Sequence, residues 1–335
     1  MRSAAARGEA EELARFRRLL TATIVATFAL ILIGGIVRVS DSGLGCGAAG
    51  SGTHGWPLCE GGLLPAASGE SVIEFSHRIA AGVVGVLIAI CAWQAIRRLR
   101  EHRPLVRGSI IAGVLVLAQA ALGGLTVEQG LEEELVAAHL GLAMLLIGLL
   151  ILLRQGASPR TEPPPHARGL GALSVLAAAL VLATIAAGGY VAGTEKEGTS
   201  AEPAAGQAHV ACGEQFPGCN GAFMPFGQSR LVDIQLTHRA FMYLAAIAVL
   251  ALVILALRRR VSSRAFLFAG AVLAAQILLG ALNVWLGKHA GLILAHLALG
   301  TLLWSAIVYA AATLLPASEP AVRGLRRAEA AGAAA

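Results

Sequence analysis

Long apolar runs separated by short polar ones make up most of this chain, and the length of each run decides what it can form. A bilayer core of about 30 Å takes roughly 20 apolar residues per helix. Eight runs reach that length, at 19–39, 77–97, 107–127, 135–153, 170–190, 237–258, 264–285 and 291–314. They predict an all-α membrane protein with eight transmembrane helices and both termini on one side. The first run is too long for a signal-peptide core, and no A-x-A-type cleavage site follows where Gly34, Gly35 and Arg38 stand, so it reads as a retained span. The Ala- and Arg-rich stretch after Pro316 has no apolar face and reads as a loose tail.

Arginines orient these runs. Arg15, Arg17 and Arg18 precede the first, and Arg97, Arg98, Arg100, Arg103 and Arg107 fill the second connection. Arg154, Arg160 and Arg168 fill the fourth, Arg258, Arg259, Arg260 and Arg264 the sixth, and Arg323, Arg326 and Arg327 follow the last run. The positive-inside rule assigns all of these, and both termini, to the cytoplasm of a cell (plasma) membrane protein. Composition agrees, since 56% of residues are apolar and only 14% are charged, which excludes an ordinary soluble domain. The net charge of +6 is then a topology signal with some attraction to anionic lipid, and it calls for no nucleic acid.

The odd-numbered connections face outward and include both long loops. Cys46 and Cys59 lie in one of these loops and Cys212 and Cys219 in the other, which suits an oxidising compartment and two intraloop disulfides. Cys91, inside the second span, reads as a small buried hydrophobe.

An internal repeat relates the two loops. Pro57, Cys59, Gly61 and Pro65 recur as Pro217, Cys219, Gly221 and Pro225, each 160 positions later. Ser76-His77-Arg78 recurs as Thr237-His238-Arg239, and Gln119, Gly123, Leu125, Val127, His139 and Leu140 recur as Gln276, Gly280, Leu282, Val284, His296 and Leu297. Four spans per half keep both halves in one orientation, so they are expected to form two parallel-repeat four-helix bundles. The expected divisions are a cytoplasmic segment at 1–18, a bundle at 19–153, a linker at 154–169, a second bundle at 170–314 and a tail at 315–335. The linker carries Glu162-Pro163-Pro164-Pro165.

The repeat places His77, His139, His238 and His296 near the outer ends of their spans as two matched pairs. A single membrane histidine is often just a hydrogen-bonding group between helices. Two pairs at matching depths instead suit two irons, each held between facing helices of a bundle, as in haem ligation. Zinc would be short of ligands there. His54, His209 and His289, in or beside outer loops, and His102 and His166, in cytoplasmic loops, need no role. Arg78 and Arg239 each follow a histidine and either pair with haem propionates or snorkel to headgroups.

One position breaks the symmetry. Glu74 stands three residues before His77, whereas Gln235 stands three before His238. If the helix extends back that far, carboxylate and imidazole share a face one turn apart. Only the carboxylate exchanges protons, so the N-terminal half reads as catalytic and the C-terminal half as a fixed cofactor site. A plainer reading makes Glu74 a helix-start carboxylate favoured by the dipole.

The runs Gly34-Gly35-Ile36-Val37-Arg38, Ser42-Gly43-Leu44-Gly45-Cys46, Trp56-Pro57-Leu58-Cys59 and Ile73-Glu74-Phe75-Ser76-His77-Arg78 resemble the signature of the haem A synthase family, and the resemblance extends over nearly all of 19–314. It implies an oxidoreductase that converts a methyl group of haem O, through hydroxylated intermediates, to the formyl group of haem A for cytochrome oxidase. It further implies haem b held by His238 and His296, haem O taken between His77 and His139, and Glu74 as the catalytic carboxylate. Arg38, Arg78 and Arg239 become candidate propionate partners. Haem O synthase, cytochrome oxidase assembly factors and an unidentified electron donor or acceptor would be the partners. The competing classes are a di-haem b-type electron-transfer cytochrome, which would treat both sites alike, and a haem-handling chaperone or transporter. The chain departs from the family pattern at Gly47–Gly55, which separates Cys46 from Trp56 by a longer Gly/Ala/Ser-rich stretch. Loop lengthening costs little, so a Cys46–Cys59 bridge remains compatible with it.

Overall fold

In the computed structural model the apolar runs become eight α-helices: α1 (Arg2–Val39), α2 (Gly69–Arg98), α3 (Arg103–Glu128), α4 (Glu133–Gly156), α5 (Leu170–Gly193), α6 (Arg230–Arg258), α7 (Ser263–Trp285) and α8 (Ala290–Leu314). All eight are long and apolar enough to cross a bilayer, and the chain is a multi-pass membrane protein. The structure describes residues 2–65, 67–159, 163, 165–195, 206–261, 263–287 and 289–314, with the side chains of 2–6 and 263 left aside. Arg160, Glu162 and Pro164 of the expected linker and the whole tail from 315 lie outside the described residues.

Besides α1, which starts at Arg2 rather than 19, two helices begin well before their apolar runs, at Gly69 rather than 77 and at Arg230 rather than 237. Both starts are set by a serine cap: Ser68 Oγ accepts from the Ser71 amide, and Ser229 Oγ accepts from the Val232 amide. Such a cap contributes about 1 kcal/mol and lets a polar first turn join the helix. Glu74 and His77 therefore do lie on one continuous helix.

Within each half the helices close a ring. α1 packs on α2 and α4, with α3 between those two, and α5 packs on α6 and α8, with α7 between them. The rings meet where α4 lies against α5 and α8, and where α1 lies against α8. Paired glycines show the repeat at this seam. A Cβ on Gly35 of α1 would meet Leu297 of α8 at 2.6 Å, and one on Gly189 of α5 would meet Leu140 of α4 at 3.2 Å. Leu140 and Leu297 occupy the same repeat position, each just after a histidine of interest. The seam is also bonded, since Trp304 Nε1 donates to the Met144 carbonyl at 2.7 Å inside the core.

Packing is uneven along the helices. The largest fully buried side chains include Phe16, Leu20, Ile88, Met144, Ile147, Leu150, Leu252, Phe266 and Ile307, most of them toward the arginine-rich ends of their helices. By contrast, no residue of 134–143 in α4 or of 290–299 in α8 is fully buried, although both segments are inside spans. His139 and His296 lie in these looser segments, whereas His77 and His238 adjoin the buried Glu74 and Leu236.

The two outer loops fold alike. Cys46 bonds Cys59 and Cys212 bonds Cys219. Cys59 and Cys219 each form an isolated β-bridge three residues on, to Gly62 and Ala222. Glu60 and Asn220 both take positive φ, followed by Gly61 and Gly221 in the same region, so the template of the turn is kept residue by residue.

Candidate functional site

Each histidine rests on a glycine of the preceding helix. A Cβ on Gly34 of α1 would come within 3.0 Å of His77 Cε1 on α2, and one on Gly123 of α3 within 3.0 Å of His139 Cε1 on α4. In the second half, Gly188 of α5 meets His238 of α6 at 3.0 Å and Gly280 of α7 meets His296 of α8 at 3.1 Å. Four helical hairpins thus use one device: a glycine removes the side chain that would otherwise push the imidazole away. Gly123 and Gly280 were visible as repeat positions and Gly34 within a signature run. Gly188 was missed, because one glycine in a Leu/Ala-rich helix carries no signal until its partner is known.

The histidines of each half face a shared region. His77 lies within Coulombic reach of His139, as His238 does of His296. The Nδ1 atoms of His77, His139 and His296 are buried without a hydrogen-bond partner. His238 differs, because its Nδ1 lies 3.0 Å from the Thr184 carbonyl. A carbonyl can only accept, so Nδ1 carries the proton and Nε2 is left with the lone pair a metal needs. His296 Nε2 lies 3.3 Å from the side-chain nitrogen of Gln276, whereas the matching Gln119 donates to the backbone carbonyl of His139 at 2.9 Å.

Taken together, glycine cradles, orphaned ring nitrogens and half-buried neighbours fit a large planar cofactor ligated by imidazole from two sides. A compact tetrahedral ion is a poor match, since the only acidic group dense enough to resemble a metal site among the described residues is Glu132, Glu133 and Glu134 at the start of α4. That group is already engaged, with Glu133 paired to Arg230 and Glu134 accepting from Tyr190.

The asymmetry at position 74 is structural as well as chemical. Glu74 is buried, its Oε2 accepts from the Cys46 amide at 2.7 Å, and its Oε1 pairs with Arg78 one turn on. Arg78 also donates to the loop carbonyls of Leu58 and Gly55, each at 2.8 Å. In the second half, Arg239 donates to the Gly218 carbonyl at 2.6 Å, the repeat counterpart of Leu58, and its guanidinium lies 5.7 Å from the Phe216 ring centroid. There the pairing stops. Gln235 Oε1 and Arg239 Nη2 are both buried without hydrogen-bond partners. The first half therefore has a closed carboxylate–guanidinium–loop network, and the second has a buried cation with no carboxylate partner among the described residues.

Arg78 and Arg239 thus hold loop carbonyls. Arg38 crosses between halves instead, donating from Nη2 to the Ala192 carbonyl at 2.7 Å and to that of Glu195. Loop and helix meet again where a Cβ on Gly124, beside the His139 cradle, would strike the Trp56 ring at 2.7 Å. Cys91 is buried against Thr23, away from this end.

Similarity to known proteins covers most of the chain. A family model described as cytochrome oxidase assembly protein, COX15-CtaA, matches residues 17–308. The heme A synthase of Shouchella clausii is 30% identical over 247 residues, covering 71% of this chain and 75% of that protein. The heme A synthase of Halalkalibacterium halodurans is 31% identical over 213 residues, 61% of this chain and 64% of its own length. The chain thus spans just under two thirds of that relative. A third, the heme A synthase of Bacillus licheniformis, is 37% identical over 136 residues, 39% of this chain and 42% of that protein.

Proposed function

This chain belongs to the COX15-CtaA family of cytochrome oxidase assembly proteins, and we propose that it is a haem A synthase, an oxidoreductase that converts a methyl group of haem O to the formyl group of haem A. The observation that carries this reading is the unequal pair of histidine sites: two glycine-cradled sites of one design, only one of which has a carboxylate a turn before its histidine. The similarity to heme A synthases agrees with it.

In this reading the first bundle, 19–153, takes haem O between His77 and His139, and the second, 170–314, holds haem b through His238 and His296. Haem b, when bound, supplies one-electron transfer. The protein's own part is placement. Gly34 and Gly123 let the imidazoles of the first site lie close to the neighbouring helices, while the Thr184 carbonyl fixes the tautomer of His238. Glu74 is the acid–base group. Arg78 and the Cys46 amide hold it against the start of α2, so proton exchange there requires it to give up one of those partners. Arg38 Nε and Arg239 Nη2 are both buried without partners, and Arg239, which is itself buried and makes no bond between the halves, is the candidate to receive a propionate. Both termini are cytoplasmic and both sites lie toward the outer face of the plasma membrane. Haem O synthase, assembly factors of cytochrome oxidase and a separate electron donor or acceptor complete the pathway.

The test is to extract haems from cells that make haem O, with and without this protein, and separate them by reversed-phase chromatography. Haem A appearing only with the protein is the expected result. Two unmodified b-type haems and no conversion would instead identify an electron-transfer cytochrome. Replacing His238 by Ala should remove the b-type absorption of the second site, and an unchanged spectrum would remove that residue from haem b ligation.

A further inference from the structure

We propose that the crevice between the two halves at the arginine-rich end of the molecule binds one anionic phospholipid. The crevice, about 530 Å³, is walled by α1 and α4 from the first half and by α7 and α8 from the second. Its lining is mainly apolar, including Ile24, Phe268 and Leu302, while Arg154 and Arg264 stand at its polar end with Tyr309. No carboxylate lines it. Among the described residues neither arginine has an ion-pair partner, and Arg154 only donates from Nε to Thr21 Oγ1 at 2.8 Å. Val25 and Phe268 on its wall are 63% and 49% exposed, so this wall faces the surroundings of the helices, which in a bilayer are acyl chains. An apolar slot with two guanidinium groups that have no carboxylate partner among the described residues, at the headgroup level, matches an acyl chain joined to a phosphate.

Two further observations select this occupant. A prenylated quinone would suit the slot by shape but would come to exchange electrons. Tyr309 stands 13 residues beyond His296 on α8, about 20 Å by helical rise, and Arg154 stands about 22 Å beyond His139 on α4. The polar groups that would hold a quinone ring are thus at the end of the crevice remote from the histidines, and its nearer wall at Leu302 is apolar. The repeat gives the second reason. In the register that matches His139 with His296, the counterpart of Arg154 is Ala311, which is buried. The arginine is therefore an addition to one side of a symmetric frame.

The test uses the purified full-length protein in detergent, titrated with phosphatidylglycerol or with phosphatidylcholine of the same chains and read by native mass spectrometry. One phosphatidylglycerol should bind in preference to phosphatidylcholine. Changing Arg154→Gln together with Arg264→Gln should weaken phosphatidylglycerol roughly 30-fold, about fivefold per arginine. The same charge removed elsewhere, by Arg97→Gln with Arg100→Gln, should leave binding unchanged. Ala306→Trp, which fills the slot and spares both arginines, should weaken both lipids. Equal affinity for the two lipids, equal loss in the two arginine pairs, or full binding in Ala306→Trp would overturn the proposal. So would displacement by soluble glycerol phosphate as effective as by phosphatidylglycerol, or a quinone held in place of phospholipid and lost in the same variants.

Discussion

An alanine at position 188 would bring its Cβ within 3.0 Å of Cε1 of His238, so this imidazole rests directly on the bare backbone of α5. The same helix also holds the ring through the Thr184 carbonyl, one turn before Gly188. Gly188→Ala should displace the ring by a few tenths of an ångström and weaken that bond. The expected outcome is a protein that still folds and still binds haem b, with a shifted low-spin spectrum and a changed midpoint potential. Optical and electron paramagnetic resonance spectra of the variant would check it. A spectrum identical to the parent's would mean the cradle does not position the ligand.

Glu74→Gln keeps the shape of the side chain and removes its proton chemistry. Loss of general acid–base help costs roughly 10²–10⁴-fold in rate. Haem A formation in membranes should fall by at least the lower figure while the b-type spectrum of the second half persists. Haem analysis of the same membranes separates this from misfolding, because a collapsed protein would lose both.

The outer disulfides should stabilise the molecule unequally. They span 13 and 7 residues, and loop-closure entropy assigns about 3 kcal/mol to Cys46–Cys59 and about 2.4 kcal/mol to Cys212–Cys219. Thermal unfolding of Cys59→Ser and Cys219→Ser variants under identical detergent conditions should rank them in that order.

Trp304→Phe removes the donor that reaches across to Met144 while keeping most of the apolar ring. A hydrogen bond between membrane helices contributes about 0.6 kcal/mol on average, and up to about 2 when buried. The variant should unfold more readily by about that amount, with neither haem site altered. A changed haem spectrum would show that the seam between halves also shapes the sites.

The eight crossings were legible in the sequence because hydrophobic length alone decides them. The four histidines were legible because the repeat set them in register, and the cysteine pairs because each shared a loop. Helix starts were less so: Ser68 and Ser229 extend α2 and α6 through polar turns that no hydropathy window includes. Nor did the sequence reveal what Arg78 and Arg239 hold, since their acceptors are backbone carbonyls about 20 residues earlier, made available only by the fold of the loop. Gly188 escaped for the same reason, because its importance belongs to a contact with α6 rather than to its own neighbourhood.

Cys46 takes part in two connections at once. Its sulfur joins Cys59, and its amide donates to Glu74. Cutting the sulfur bond frees the segment that steadies one carboxylate oxygen, while the Arg78 contact alone retains the other. The state of this disulfide is thereby geared to the position of a single acid at the rim of the first bundle. The second bundle has no such linkage, because Gln235 leaves its oxygen unbound. Reduction would release a carboxylate's partner in the first bundle, whereas in the second it would loosen only the loop around the Gly218 carbonyl that Arg239 holds.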